Sequence, residues 1–112
     1  MAGNELTVNV TYNGAAASLD KPLGECFWET GPANVRWVFH DTSSAHDALS
    51  FGISWTGEAP FDATAQDGTG TADWTATGNK EKAGDFGYSV TVTRKVGPSI
   101  ELNAVIRNDR RP

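Results

Sequence analysis

Strict alternation of apolar and polar residues constrains this chain more than any other feature. Neighbouring side chains on a β-strand point to opposite faces, so a half-buried strand must alternate. In Glu5 to Asn13 the apolar set is Leu6, Val8, Val10 and Tyr12, against Thr7, Asn9 and Thr11, and Asn13-Gly14 then marks a turn. In Leu49 to Thr56 it is Leu49, Phe51, Ile53 and Trp55, and in Asp85 to Thr93 it is Phe86, Tyr88, Val90 and Val92. Asn34 to His40 carries Val35, Trp37 and Phe39, with Val38 breaking its polar face. Shorter strands are expected at Glu25 to Glu29, Gly70 to Ala76 and Ser99 to Ile106.

Between these segments stand turn signals: Gly31-Pro32, Gly57 with Pro60, Asp67-Gly68, Gly78-Asn79, Gly84 and Gly97-Pro98. Many short strands punctuated in this way predict an all-β fold, a Greek-key β-sandwich of seven or eight mostly antiparallel strands, cupredoxin-like or immunoglobulin-like. The inter-sheet core is expected from Trp37, Phe39, Phe51, Ile53, Trp55, Phe86, Tyr88, Val90 and Val92. Only Asn79 to Ala83 and Ser44 to Leu49 have helical composition, each enough for a turn or two. With 112 residues the chain has room for one domain, 1–112, and residues 107–112 read as a frayed tail.

Charge and cysteine usage narrow the function. Fourteen acidic against nine basic residues give a net charge of −5 with no basic face, which argues against nucleic acid as a partner. No run of about 18 apolar residues is present, so no membrane partner is expected. Cys26 stands alone, which leaves no internal disulfide or thiolate cluster and fits a reducing, cytoplasmic location.

The chemical motifs are sparse. Asp62 and the stretch Asp67 to Asp73 offer oxygen ligands to a hard cation, but match no EF-hand spacing and read as a polar loop. His40, Asp41 and His46 lie close in sequence, yet two imidazoles do not complete a zinc site, and neither Asp47 nor Cys26 has a ligand spacing to them. No nucleophile elbow or Ser-His-Asp order is present, so neither a catalytic residue nor a cofactor is expected.

The strand Val35-Arg36-Trp37-Val38-Phe39, the loop carrying His46, Pro60-Phe61-Asp62 and Gly84-Asp85-Phe86-Gly87-Tyr88-Ser89-Val90 together resemble the cupredoxin-like sandwich of the blue-copper proteins. The resemblance implies architecture and places His46 where that family has its first copper-ligating His. It also puts Val90 where the family has its Cys ligand, with no His or Met following, so it implies a sandwich without the copper site.

What remains is a non-catalytic module that binds another protein through loops or an edge strand. The expected contact surface comprises the loops Gly57 to Gly70 and Gly78 to Gly84, with Trp28, Glu58, Phe61, Asp62, Asp67, Trp74, Lys80 and Lys82. A carbohydrate-binding module is the alternative, in which Trp28 and Trp74 would stack on sugar rings from one exposed face, and a third reading, a metal-binding or redox cupredoxin relative, requires His40, His46 and an acid or Cys26 to converge.

Overall fold

The computed structural model describes residues 5–112. They form nine strands: β1 (Glu5–Tyr12), β2 (Ala17–Leu19), β3 (Leu23–Phe27), β4 (Asn34–Asp41), β5 (Ala48–Trp55), β6 (Phe61–Gln66), β7 (Trp74–Asn79), β8 (Gly84–Arg94) and β9 (Ile100–Asp109). One sheet runs β2-β1-β4-β7-β6 and the other β3-β9-β8-β5. The pairings are antiparallel except β1 with β4 and β3 with β9. The result is an all-β, mostly antiparallel two-sheet sandwich, and no helix among the described residues is long and apolar enough to cross a membrane.

The alternating residues decide which faces meet. Val8, Val10 and Tyr12 of β1, Val35 and Trp37 of β4, and Ala76 of β7 are buried against Phe51, Ile53, Tyr88, Val90, Val92, Ala104 and Ile106 of the facing sheet. The centre is aromatic: Trp37 meets Trp55 and Tyr88 edge-on, with ring centroids 6.2 and 5.4 Å apart, and its indole N–H donates to the Tyr88 hydroxyl at 3.1 Å. Burial pushes the Tyr88 phenol above its ordinary pKa.

Both long sides of the sandwich are closed, which protects edge strands from pairing with other chains. On one side a single segment serves both sheets, as β2 passes through Asp20-Lys21-Pro22 into β3. Asp20 accepts from the Asn9 backbone N–H and side-chain amide, both at 2.8 Å, and Lys21 Nζ donates to Thr7 O at 2.7 Å. On the other side Trp74 Nε1 donates to Phe51 O at 2.8 Å and Trp55 Nε1 to Thr64 Oγ1 at 3.0 Å, so indoles bridge the edges of the two sheets.

Several expectations need correction. Nine strands replace seven or eight, because β2 is only three residues long and β6 lies within the segment read as a loop, Gly57 to Gly70. The strand expected from Gly70 starts at Trp74, and the one expected from Glu25 starts at Leu23. Phe39 and Trp55 pack against the core half-buried, and Phe86, near the start of β8, lies outside the buried cluster. Neither short helical stretch is helical: Asn79 ends β7, the following turn is closed by Lys82 N–H to Lys80 O at 2.8 Å, and β5 begins at Ala48. Residues 107–109 are part of β9 rather than of a frayed tail, with Arg107 paired to Asp85 and Asn108 only 1% exposed.

Candidate functional site

The surface residues singled out from the sequence divide between the lower end of the sandwich, its flank and its interior. The lower end is where β3 and β9 finish and where β5 leads into β6 and β7 into β8. There Lys82 Nζ bonds both carboxylate oxygens of Glu58 at 2.5 Å, and Lys80 N–H donates to Pro60 O at 2.8 Å, so the 56–60 and 80–83 loops are joined. Lys82 holds the Glu58 carboxyl below its usual range. Asn108 lies beneath this junction, its amide donating to Lys80 O at 3.0 Å and Lys82 O at 2.9 Å while its carbonyl accepts from Asn79 at 3.0 Å. Trp28 is half-buried at the same end, with its backbone N–H on Asp109 O at 3.0 Å, beside the Glu29–Arg110 ion pair.

The other expected contact residues are not gathered there. Phe61 is 3% exposed and lies against Trp55 with ring centroids 5.8 Å apart, so it belongs to the interior. Trp74 is in register with Trp37 and therefore faces inward, half-buried, with its indole N–H committed to Phe51 O. Trp28 and Trp74 thus form no shared exposed platform. Asp62 is exposed at the start of β6, opposite Gly78, where an added Cβ would come within 2.6 Å of an Asp62 oxygen. Asp67 lies on the flank, where Arg36 donates to it at 2.9 Å, to Asp73 at 3.1 Å and to Glu5 at 3.2 Å. These carboxylates, Asp67 foremost, raise the Arg36 pKa above its ordinary value.

The candidate metal ligands are also dispersed. His40 is exposed on the outer face of its sheet and shares a hydrogen bond with Asn9 at 2.8 Å, whereas Cys26 is buried between the sheets. Asp41 turns its carboxylate onto Ser43 and the Ala48 N–H. Val90 is fully buried in the core. Among the described residues no three His, Cys, Asp or Glu side chains converge on a metal site. Burial pushes the Cys26 thiol up to about 12, which suppresses the reactive thiolate. A thiol reagent at neutral pH should therefore label Cys26 only as fast as the domain opens, and labelling by mass spectrometry should become rapid in denaturant. Rapid labelling of the native protein would show Cys26 to be accessible.

The upper end was missed from the sequence. The turn 13–16, the loop 42–47 and the β8–β9 hairpin 95–99 meet there. Tyr12 OH donates to Asp47 Oδ1 at 2.9 Å, Thr42 N–H to Tyr12 O at 2.8 Å, and Lys95 N–H to Asp47 O at 2.9 Å. Arg94 ties the hairpin to the turn, donating through Nε to Pro98 O at 2.9 Å and through Nη1 to Gly14 O at 3.3 Å. His46 has φ of +49°, a left-handed conformation that carries a steric cost for a residue with a Cβ. On this stitched frame the apolar side chains point outward: Val96 is 76% exposed at the hairpin tip and Leu49 is 48% exposed at the start of β5. Alternation hid Leu49, because it continues the apolar set of Phe51, Ile53 and Trp55. The register shift between Ala48 and Ser50 takes it out of that set.

Chemically, the lower end carries the ion pairs Glu58–Lys82, Asp85–Arg107 and Glu29–Arg110, and the upper end presents exposed apolar side chains on hydrogen-bonded loops. The chain matches no known family model, and comparison with curated proteins finds no relative.

Proposed function

We propose that this protein is a non-catalytic interaction module, a Greek-key, cupredoxin-like sandwich that holds a protein partner against its upper loops. The observation that carries the reading is the exposure of Val96 and Leu49 on an end whose three loops are hydrogen-bonded to one another. Exposed apolar side chains gain free energy when a partner covers them, and loops fixed beforehand lose little conformational entropy on binding. The Greek-key, cupredoxin-like description is supported by the chain crossing repeatedly between sheets, β2 to β3, β3 to β4, β4 to β5, β5 to β6 and β7 to β8.

Quantitative affinity capture from the native host tests this. Burying one valine is worth about 1.5 to 3 kcal/mol, so V96D should weaken capture of a specific partner by about tenfold or more. L49D should act in the same direction, and K82E, at the opposite end, should leave capture intact. Loss of capture by K82E with V96D behaving as the parent would move the binding face to the lower end. A partner retained equally by all variants would overturn binding through loop ends.

A further inference from the structure

We infer that Asn13 is a site of spontaneous covalent modification in the native protein, converted through a cyclic imide to aspartate and isoaspartate; this inference is independent of the proposed function. Of the asparagines in the sequence only Asn13 is followed by glycine. The chemistry is attack by the Gly14 amide nitrogen on Asn13 Cγ: an N–Cγ bond forms, the Cγ–Nδ2 bond breaks, and the nitrogen leaves as ammonia with the proton lost from the Gly14 amide. Water then opens the imide. Opening at Cγ gives aspartate, and opening at the Asn13 backbone carbonyl gives isoaspartate, with the main chain rerouted through the side chain. The net change is addition of water and loss of ammonia, with no oxidant or reductant.

Four features of the turn favour this reaction. Gly14 has no side chain to shield its nitrogen, and its φ of +96° belongs to the region open to glycine. Among the described residues its N–H donates to no backbone or side-chain acceptor, so no hydrogen bond must be broken before attack. The Asn13 side-chain oxygen accepts from the N–H groups of Ala15 at 2.9 Å and Ala16 at 2.8 Å. Negative charge develops on that oxygen as the nitrogen adds, so the two donors are already placed where the intermediate needs them. Asn13, Ala15 and Ala16 are exposed, which admits water and lets ammonia leave.

Isoaspartate would lengthen the main chain at the residue whose successor, Gly14, supplies the carbonyl oxygen accepting from Arg94 Nη1 at 3.3 Å. The tie between the turn and the hairpin would then be lost while the sandwich beneath it stayed folded.

The experiment is incubation of the native protein at mildly alkaline pH, with peptide mass spectrometry and enzymatic methylation of isoaspartate as readouts, beside the same protein in denaturant. Exclusion of a thiol reagent from Cys26 reports that the native sample remains folded. The expected result is a gain of about one dalton in the peptide containing Asn13, as an aspartate and isoaspartate pair, at a rate within about tenfold of the unfolded chain. N13Q, which would require a six-membered ring, should show no such gain. Asn13 remaining intact in the native sample while the unfolded chain converts it would overturn the inference, as would equal conversion at Asn103, which precedes alanine in β9.

Discussion

Replacing Trp37 by alanine should cost about 3 to 5 kcal/mol, much of the 5 to 15 kcal/mol that holds a domain of this size together. Trp37 is fully buried at the centre of β4, edge-on to both Trp55 and Tyr88, and gives its indole N–H to the Tyr88 hydroxyl. Truncation would open a cavity between the sheets and leave that hydroxyl without its donor. W37F separates the two contributions: it keeps most of the packing and loses the hydrogen bond, with an expected cost of about 1 to 3 kcal/mol. Urea unfolding followed by circular dichroism measures both. A loss below about 1 kcal/mol for W37A would mean that the facing sheets can close over the missing ring.

The strands legible in the sequence are those with one face on the core and one on solvent. β1, β4, β5 and β8 have that arrangement, and the alternation of Val8, Val10 and Tyr12 or of Tyr88, Val90 and Val92 follows from it directly. β6 was illegible for a physical reason. It is a sheet edge whose inward side chains after Phe61 include Thr64 and Gln66, satisfied by Trp55 Nε1 and by the carbonyls of Gly70 and Ala72. Its outward positions are Ala63 and Ala65, so the period-2 signal is inverted in polarity. Trp74 could be placed only with the register of β7 against β4, a pairing between segments about forty residues apart.

The same non-locality hid the upper end. Arg94 looks like a solvated end of β8 until the Asn13-Gly14 turn is folded beside it, and Asp47 has no evident role until Tyr12 reaches it. Of the two stretches expected as loops, 57–60 and 80–83 are loops, whereas Phe61–Gln66 forms β6 and Gly78 and Asn79 belong to β7. The sequence could not tell that Glu58 and Lys82 satisfy each other, since that contact depends on β6 and β7 pairing behind them. Charge in a loop therefore marked exposure here without marking free binding capacity.

Asn108 holds the lower end together, and N108D should make the stability of the domain strongly dependent on pH. The Asn108 amide nitrogen donates to the carbonyls of Lys80 and Lys82, and its oxygen accepts from Asn79, all in a site that is 1% exposed. Aspartate would put an oxygen where that nitrogen sits, facing two carbonyl oxygens. Ionised, it is repelled by both and has lost its hydration; protonated, it can donate to one of them. The folded state therefore raises the carboxyl pKa above the ordinary value of about 3.9. A raised folded pKa means that the folded state binds the proton more tightly than the unfolded state. The variant is accordingly most stable below about pH 4, and loses stability as pH rises, by about 1.4 kcal/mol per pH unit until the folded pKa is passed. N108A provides the contrast: it leaves the same carbonyls unpaired, at an expected cost of about 1 to 3 kcal/mol, but introduces no titrating group. Urea midpoints for the parent, N108D and N108A between pH 3.5 and 7 measure the difference. A gap between N108D and N108A that widens with pH is the expected result, and a constant gap would show that the aspartate escapes to solvent and that the loop junction does not depend on a buried amide.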